Sequence, residues 1–250
     1  MHSFVIRAAR ALTPHEEIRD AAVWVEDGRI RSVGPRDSFT LPPGVREIRA
    51  TDRTLAPGFM DVHIHGAGGH DVMEASESAL RAIAETLARH GTTSFLATTV
   101  TSAPDALCQS ARGIARSIAE QQTSASGAAS RAELLGIHFE GPFISQARRG
   151  VHPAEWIVPP SLPLLDRMLD AAAGSARILT LAPELPGALN LISRARAAGL
   201  VVSLGHTDAT FGQASAAIAA GSRHAAHVFN AMRPFSHRET GVLGAVLTSP

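Results

Sequence analysis

Two rhythms of hydrophobic and polar positions divide the chain. Before Pro57 the apolar side chains alternate with polar ones at the period-two spacing of half-buried strands. Residues 4–6, 21–26 and 29–33 predict short antiparallel strands. Asp27-Gly28 supplies the positive φ of a tight hairpin turn between the second and the third, and Pro42-Pro43-Gly44 marks a further turn. From Pro57 onward, apolar runs alternate with helix-period segments. Strands are predicted at 59–65, 92–100, 134–140, 177–181, 200–206 and 224–229, and helices at 76–90, 105–120, 162–173, 188–198 and 211–220. Residues 121–130 are small and polar and predict a surface connection.

Strands alternating with amphipathic helices predict βα units on a parallel sheet. The expected fold is α/β: an incomplete TIM-like (β/α) barrel of about six strands over residues 57–250, preceded by a small N-terminal β-sandwich module over residues 1–56. In such barrels the chemistry gathers at the carboxyl ends of the strands. His63, His65, Glu140, His206 and His227 all fall at predicted strand ends.

Glu140 organises the candidate chemistry. An apolar run, Leu134-Leu135-Gly136-Ile137-His138-Phe139, ends in this carboxylate, and Gly141-Pro142 then forbids the strand from continuing. A carboxylate at the mouth of a buried strand is costly unless something positive meets it. The chain contains no lysine, which removes Schiff-base, P-loop-lysine and carbamylated-lysine mechanisms, but it contains 12 histidines. His63 and His65 share one strand face at a spacing that suits a common metal, with Asp61 on the same face as an outer partner. Glu140, His206 and His227 would make a three-ligand site with a position left open to water. Taken singly, each has a plain structural reading, as a barrel-mouth, capping or ion-paired residue. Zinc suits the set, and imidazole with carboxylate also accepts iron, manganese or cobalt. His138 reads as a satisfied core histidine. His152 sits on the long loop over the strand ends, and Arg238 is either an anion binder or a solvated loop arginine.

Composition narrows the classes. The chain has 250 residues and 45% apolar content, enough for a large core, and its 18% charged residues balance to a formal net charge of +0. That balance argues against nucleic acid or an anionic membrane as the main partner. No apolar run reaches spanning length and the N-terminus lacks a signal-peptide core. Cys108, the one cysteine, cannot form an internal disulfide, so a cytoplasmic location is predicted.

Four stretches carry a family resemblance. Pro57-Gly58-Phe59-Met60-Asp61-Val62-His63-Ile64-His65-Gly66 is similar to the signature of the amidohydrolase superfamily. His138-Phe139-Glu140-Gly141-Pro142-Phe143, Gly205-His206-Thr207 and His227-Val228-Phe229-Asn230-Ala231-Met232 together resemble the N-acetylglucosamine-6-phosphate deacetylase family within it. The resemblance runs essentially from end to end. It implies Glu140, His206 and His227 as the main metal ligands and His63 and His65 as a second metal position, for one or two divalent metals per chain. It implies His152 as the group that polarises an acetamide carbonyl. Val151, Asn230 and Ala231 would be substrate contacts, and Arg238 the phosphate-binding arginine, which can act across the interface of a homodimer. The implied reaction releases acetate from a small amino-sugar phosphate. The family's acid–base aspartate lies on a later strand, beyond Pro250, so the resemblance predicts a chain truncated at its C-terminal side. The alternatives are a non-catalytic metal-binding or subunit-interaction remnant and another amidohydrolase, such as a deaminase or cyclic amidase.

Overall fold

The structure, a computed structural model, describes residues 3–123 and 131–249; residues 124–130 of the predicted surface connection lie outside them. The chain divides into two compact units, Met1–Gly58 and Phe59–Pro250.

The first unit is a sheet of β1 (Ser3–Leu12), β2 (Glu17–Glu26), β3 (Arg29–Pro35) and β4 (Arg46–Leu55) in the order β3-β2-β1-β4. β1, β2 and β3 pair antiparallel, and β4 joins β1 in parallel. Asp27 and Gly28 take positive φ in the β2–β3 turn, as the hairpin reading requires. Where a β-sandwich was expected, the described residues form one four-stranded sheet. A second layer needs a second inward apolar face. β4, which the apolar pattern did not reveal, is mostly exposed and built around arginine, aspartate and threonine.

The second unit begins with β5 (Phe59–Ile64) and a small antiparallel hairpin of β6 (Gly66–Ala67) and β7 (His70–Asp71). Then follow α1 (Glu77–Arg89), β8 (Thr92–Thr99), α2 (Pro104–Thr123), β9 (Glu133–Glu140), α3 (Leu162–Ala172) and β10 (Ala176–Leu181). The run continues through α4 (Ala188–Ala197), β11 (Val201–Leu204), α5 (Phe211–Ala220), β12 (His224–Ala225) and α6 (Gly241–Thr248). β5, β8, β9, β10, β11 and β12 lie side by side in chain order, every neighbouring pair parallel. This is an incomplete TIM-like barrel with β5 and β12 at its edges.

Each helix buries the stripe its sequence period dictates. In α1 that stripe is Ala79, Leu80, Ile83, Ala84 and Leu87, and in α2 it includes Leu107, Ala111, Ile114 and Ile118. Both pack against one core with Ile137 and Phe139 of β9 and Leu179 and Leu181 of β10. Helix starts follow their caps. Ser76 and Ser161 accept backbone N–H groups of α1 and α3, and Thr210 with Gln213 forms a capping box on α5.

One predicted strand is much shorter than its pattern. The run 224–229 pairs only through Ala225, because the chain then turns through left-handed positions at His227 (φ 27°), Phe229 (φ 78°) and Ala231 (φ 49°). Such φ values take the backbone out of any ladder. His227 is therefore presented by a turn.

Candidate metal centre

β9 delivers Glu140 to the carboxyl end of the sheet with its side chain 2% exposed. Imidazoles from the neighbouring strand ends surround it. Nε2 of His63 lies 3.1 Å, of His206 3.2 Å and of His227 3.1 Å from Oε1. Nε2 of His65 lies 3.1 Å and of His152 3.3 Å from Oε2. His63 and His65 come from β5 and the residue after it, His206 and His227 each from two residues past β11 and β12, and His152 from the loop after β9. Atoms close enough together to hold a metal ion form two overlapping groups, His63–His65–Glu140 and Glu140–His152–His206.

Ring hydrogen bonds sort these histidines by chemistry. A carbonyl oxygen only accepts, so a ring nitrogen facing one carries the proton. Nδ1 of His65 donates to the Thr98 carbonyl (3.1 Å), Nδ1 of His206 to the Arg148 carbonyl (2.9 Å) and Nδ1 of His227 to the Asn230 carbonyl (3.1 Å). In their neutral forms, all three turn an Nε2 lone pair toward Glu140. His152 is the reverse: the Thr101 N–H donates to its Nδ1 at 3.2 Å, so a neutral His152 carries its proton on Nε2. His138 is satisfied at both nitrogens by the Val62 carbonyl and the Thr180 hydroxyl, and burial lowers its pKa to about 3, so it stays neutral in the core. Asp61 accepts the backbone N–H of His63 at 3.0 Å, a contact with the chain rather than with the ring.

The electrostatics agree. Burial acts to raise the pKa of Glu140, but hydrogen bonds from His152 and from the protonated forms of His206, His227 and His63 outweigh it and hold the carboxyl well below the usual carboxylate range. Burial acts to lower the pKa of His65, and Glu140 reverses that to a net rise. For His227 the hydrogen bond to Glu140 raises the pKa and prevails over burial. The site thus favours positive charge.

Local backbone supports the convergence. His206 itself has φ 47°, an uncommon value for a non-glycine residue that costs roughly 1–3 kcal/mol and persists only where surroundings enforce it. Here its carbonyl accepts the Ser145 N–H at 2.9 Å, and the next N–H, of Thr207, donates to the Ala231 carbonyl at 3.0 Å. A Cβ on Gly205 would come within 2.8 Å of the Thr180 side chain, which explains the glycine before His206.

The remaining predicted residues fall at the rim. Val151 is 90% exposed beside His152, Asn230 and Arg238 are exposed on the loop after β12, and Ala231 is half-buried there. None of the four belongs to the histidine–glutamate cluster. Sequence reasoning missed Glu184, whose carboxylate accepts the Thr207 hydroxyl and the Asp208 N–H at 2.6 Å each. Its one signal was its place just past the end of β10.

The donor set itself tests for a cation. His206 and His227 bring their Nε2 atoms 3.1 Å from each other and 3.2 and 3.1 Å from one carboxylate oxygen, with both Nδ1 protons committed elsewhere. Converging lone pairs and a buried carboxylate are what a divalent metal requires. Strand-end imidazoles around a carboxylate, on a run of parallel βα units, are the layout of a metal-dependent hydrolase. The chain belongs to the amidohydrolase family, which it matches over residues 54–248. It is 40% identical over 249 residues to an N-acetylglucosamine-6-phosphate deacetylase of Bacillus subtilis, covering 98% of this chain and 61% of that protein. It is 34% identical to an N-acetylgalactosamine-6-phosphate deacetylase of Escherichia coli O157:H7, again over 98% of this chain and 61% of the relative. Among solved structures it resembles a mutant N-acetyl-D-glucosamine-6-phosphate deacetylase of Mycobacterium smegmatis in complex with N-acetyl-D-glucosamine-6-phosphate. That likeness has a TM-score of 0.86 and 35% identity, over 100% of this chain and 61% of that one. The chain thus spans about three-fifths of the length of these relatives. No helix among the described residues is long and apolar enough to cross a membrane.

Proposed function

We propose that this chain carries the metal centre and part of the substrate site of a hydrolase that removes the acetyl group from N-acetylglucosamine 6-phosphate. The products are glucosamine 6-phosphate and acetate. The observation that carries the reading is the tautomer pattern around Glu140: lone pairs from His65, His206 and His227, against an N–H from His152. Glu140, His206 and His227 would hold the principal cation, and His63 with His65 a second position sharing Glu140. A divalent cation there, zinc by preference and iron, manganese or cobalt as substitutes, polarises an amide carbonyl and lowers the pKa of water.

The chain's own groups do the rest. His152 aims an Nε2–H into the site and, being 1% exposed, offers a donor whose orientation is set before substrate arrives. Such a donor stabilises the negative charge that develops on the acetamide oxygen. Asn230, Ala231 and the backbone at Val151 line the rim as sugar contacts. Arg238, exposed on the loop after β12, suits a phosphate through its planar fork of donors, within one chain or toward a second copy in a homodimer. The relative named for N-acetylgalactosamine 6-phosphate makes that sugar the competing substrate.

Acetate release by the purified chain from each of the two sugar phosphates, with and without a chelator, tests the proposal. Any release from N-acetylglucosamine 6-phosphate is expected to be sensitive to the chelator and abolished in Glu140→Gln. Release that survives both the chelator and the substitution contradicts it, and zinc bound without turnover would make this chain a metal-binding unit only.

A further inference from the structure

Three loops that meet at the cluster are joined by one carboxylate outside it. Asp208 accepts Nε of Arg148 on Oδ1 and Nη2 of Arg233 on Oδ2, both at 2.8 Å. Arg233 also donates from Nε to the Asp208 carbonyl at 2.7 Å and from its backbone N–H to the Thr207 carbonyl at 3.0 Å. Each partner stands one step from the metal ligands. The Arg148 carbonyl is the acceptor that fixes the Nδ1 proton of His206, and Arg233 closes the loop that carries His227. Glu184 seats Asp208 by accepting its N–H at 2.6 Å.

An isolated exposed ion pair would mean little. This one is a two-armed bridge whose side chains are only about one-third exposed (Arg148 32%, Asp208 31%, Arg233 34%). It also spans the segments in which His206 and Ala231 take left-handed φ values of 47° and 49° that something must enforce.

We infer that Asp208 is a positioning residue for the metal centre, holding the Arg148 carbonyl against His206 and the 227–233 loop in place so that both imidazoles converge on Glu140. The inference rests on the reading that this cluster binds a divalent metal. Asp208 bonds to Arg148, Arg233 and Glu184 and to none of the histidine or Glu140 ligand atoms, so it acts through Arg148 and Arg233. Groups that orient metal-bound histidines from outside typically change affinity 10–100-fold.

The test is zinc affinity, measured by competition with a chromogenic chelator, alongside thermal midpoints of the metal-free proteins. Asp208→Asn is expected to weaken zinc binding about tenfold or more. Asp105→Asn, which breaks the exposed 2.6 Å pair with Arg167, is expected to leave zinc affinity unchanged whatever it does to the midpoint. Arg148→Gln should weaken binding in the same direction, and the double substitution should cost less than the sum of the two, since both act on one path. Wild-type zinc affinity in a folded Asp208→Asn protein overturns the inference. Should that variant fail to fold, Arg148→Gln and Arg233→Gln each remove one arm, and unchanged affinity in both overturns it equally. A wild-type chain that binds no zinc overturns the metal reading and this inference together, which separates the two failures.

Discussion

Nε2 of His206 and Nε2 of His227 lie 3.1 Å apart, each held with its Nδ1 proton on a backbone carbonyl. Two neutral imidazoles so arranged face each other lone pair to lone pair, with Glu140 as a third acceptor. Without a cation, a proton must fill that gap, and the raised pKa of His227, whose hydrogen bond to Glu140 is the largest cause, expresses this. Metal and protons then compete for the same atoms.

Metal removal is the first consequence. A ligand that binds only the folded state adds about 2.7 kcal/mol of stability at a hundredfold excess over its Kd. Thermal melts with saturating zinc should therefore show a higher midpoint than melts in chelator, and the gap should vanish in Glu140→Gln. Equal midpoints with and without zinc in the wild type would contradict the assignment.

His152 should separate metal binding from turnover. Its Nδ1 accepts the Thr101 N–H, so the proton on Nε2 makes it a donor rather than a ligand. His152→Gln is expected to keep the metal content of the wild type and to lower kcat by roughly 10²–10³-fold, the usual loss on deleting one oxyanion donor. Metal analysis with steady-state kinetics decides, and a loss of metal in that variant would make His152 a ligand after all.

The loop after β12 has its own anchor. Glu239 accepts the Phe211 N–H at the start of α5 and the Gly241 N–H at the start of α6, both at 2.8 Å. These bonds, the Phe211 one first, hold its carboxyl below the ordinary glutamate value of 4.5. A pKa depressed by folding contributes stability that is fully present above the unfolded value and lost as pH falls through the folded one. The thermal midpoint of wild type should exceed that of Glu239→Gln at neutral pH, with the difference shrinking as pH drops below 4.5. A pH-independent difference would show that the carboxylate's charge plays no part.

Much of this was legible in the sequence. Period placed α1 and α5 closely: the spans 76–90 and 211–220 correspond to Glu77–Arg89 and Phe211–Ala220. Glu140 was legible because an apolar strand that ends in a carboxylate has to be answered by positive charge. The stretch 224–229 misled, since alternation cannot reveal that His227, Phe229 and Ala231 take left-handed φ. β4 hid because its exposed arginines, aspartate and threonines give no apolar rhythm. Glu184 was invisible, and Asp208 near His206 read only as part of the following loop, for another reason: their partners lie 23 to 60 residues away, and only the fold brings them together.

The most direct measurement is an anomalous-difference map at the zinc edge, from crystals of the purified chain grown with zinc. Density bonded to Glu140, His206 and His227 is the expected result. Absence of density there, or zinc held only elsewhere on the chain, would contradict the metal assignment.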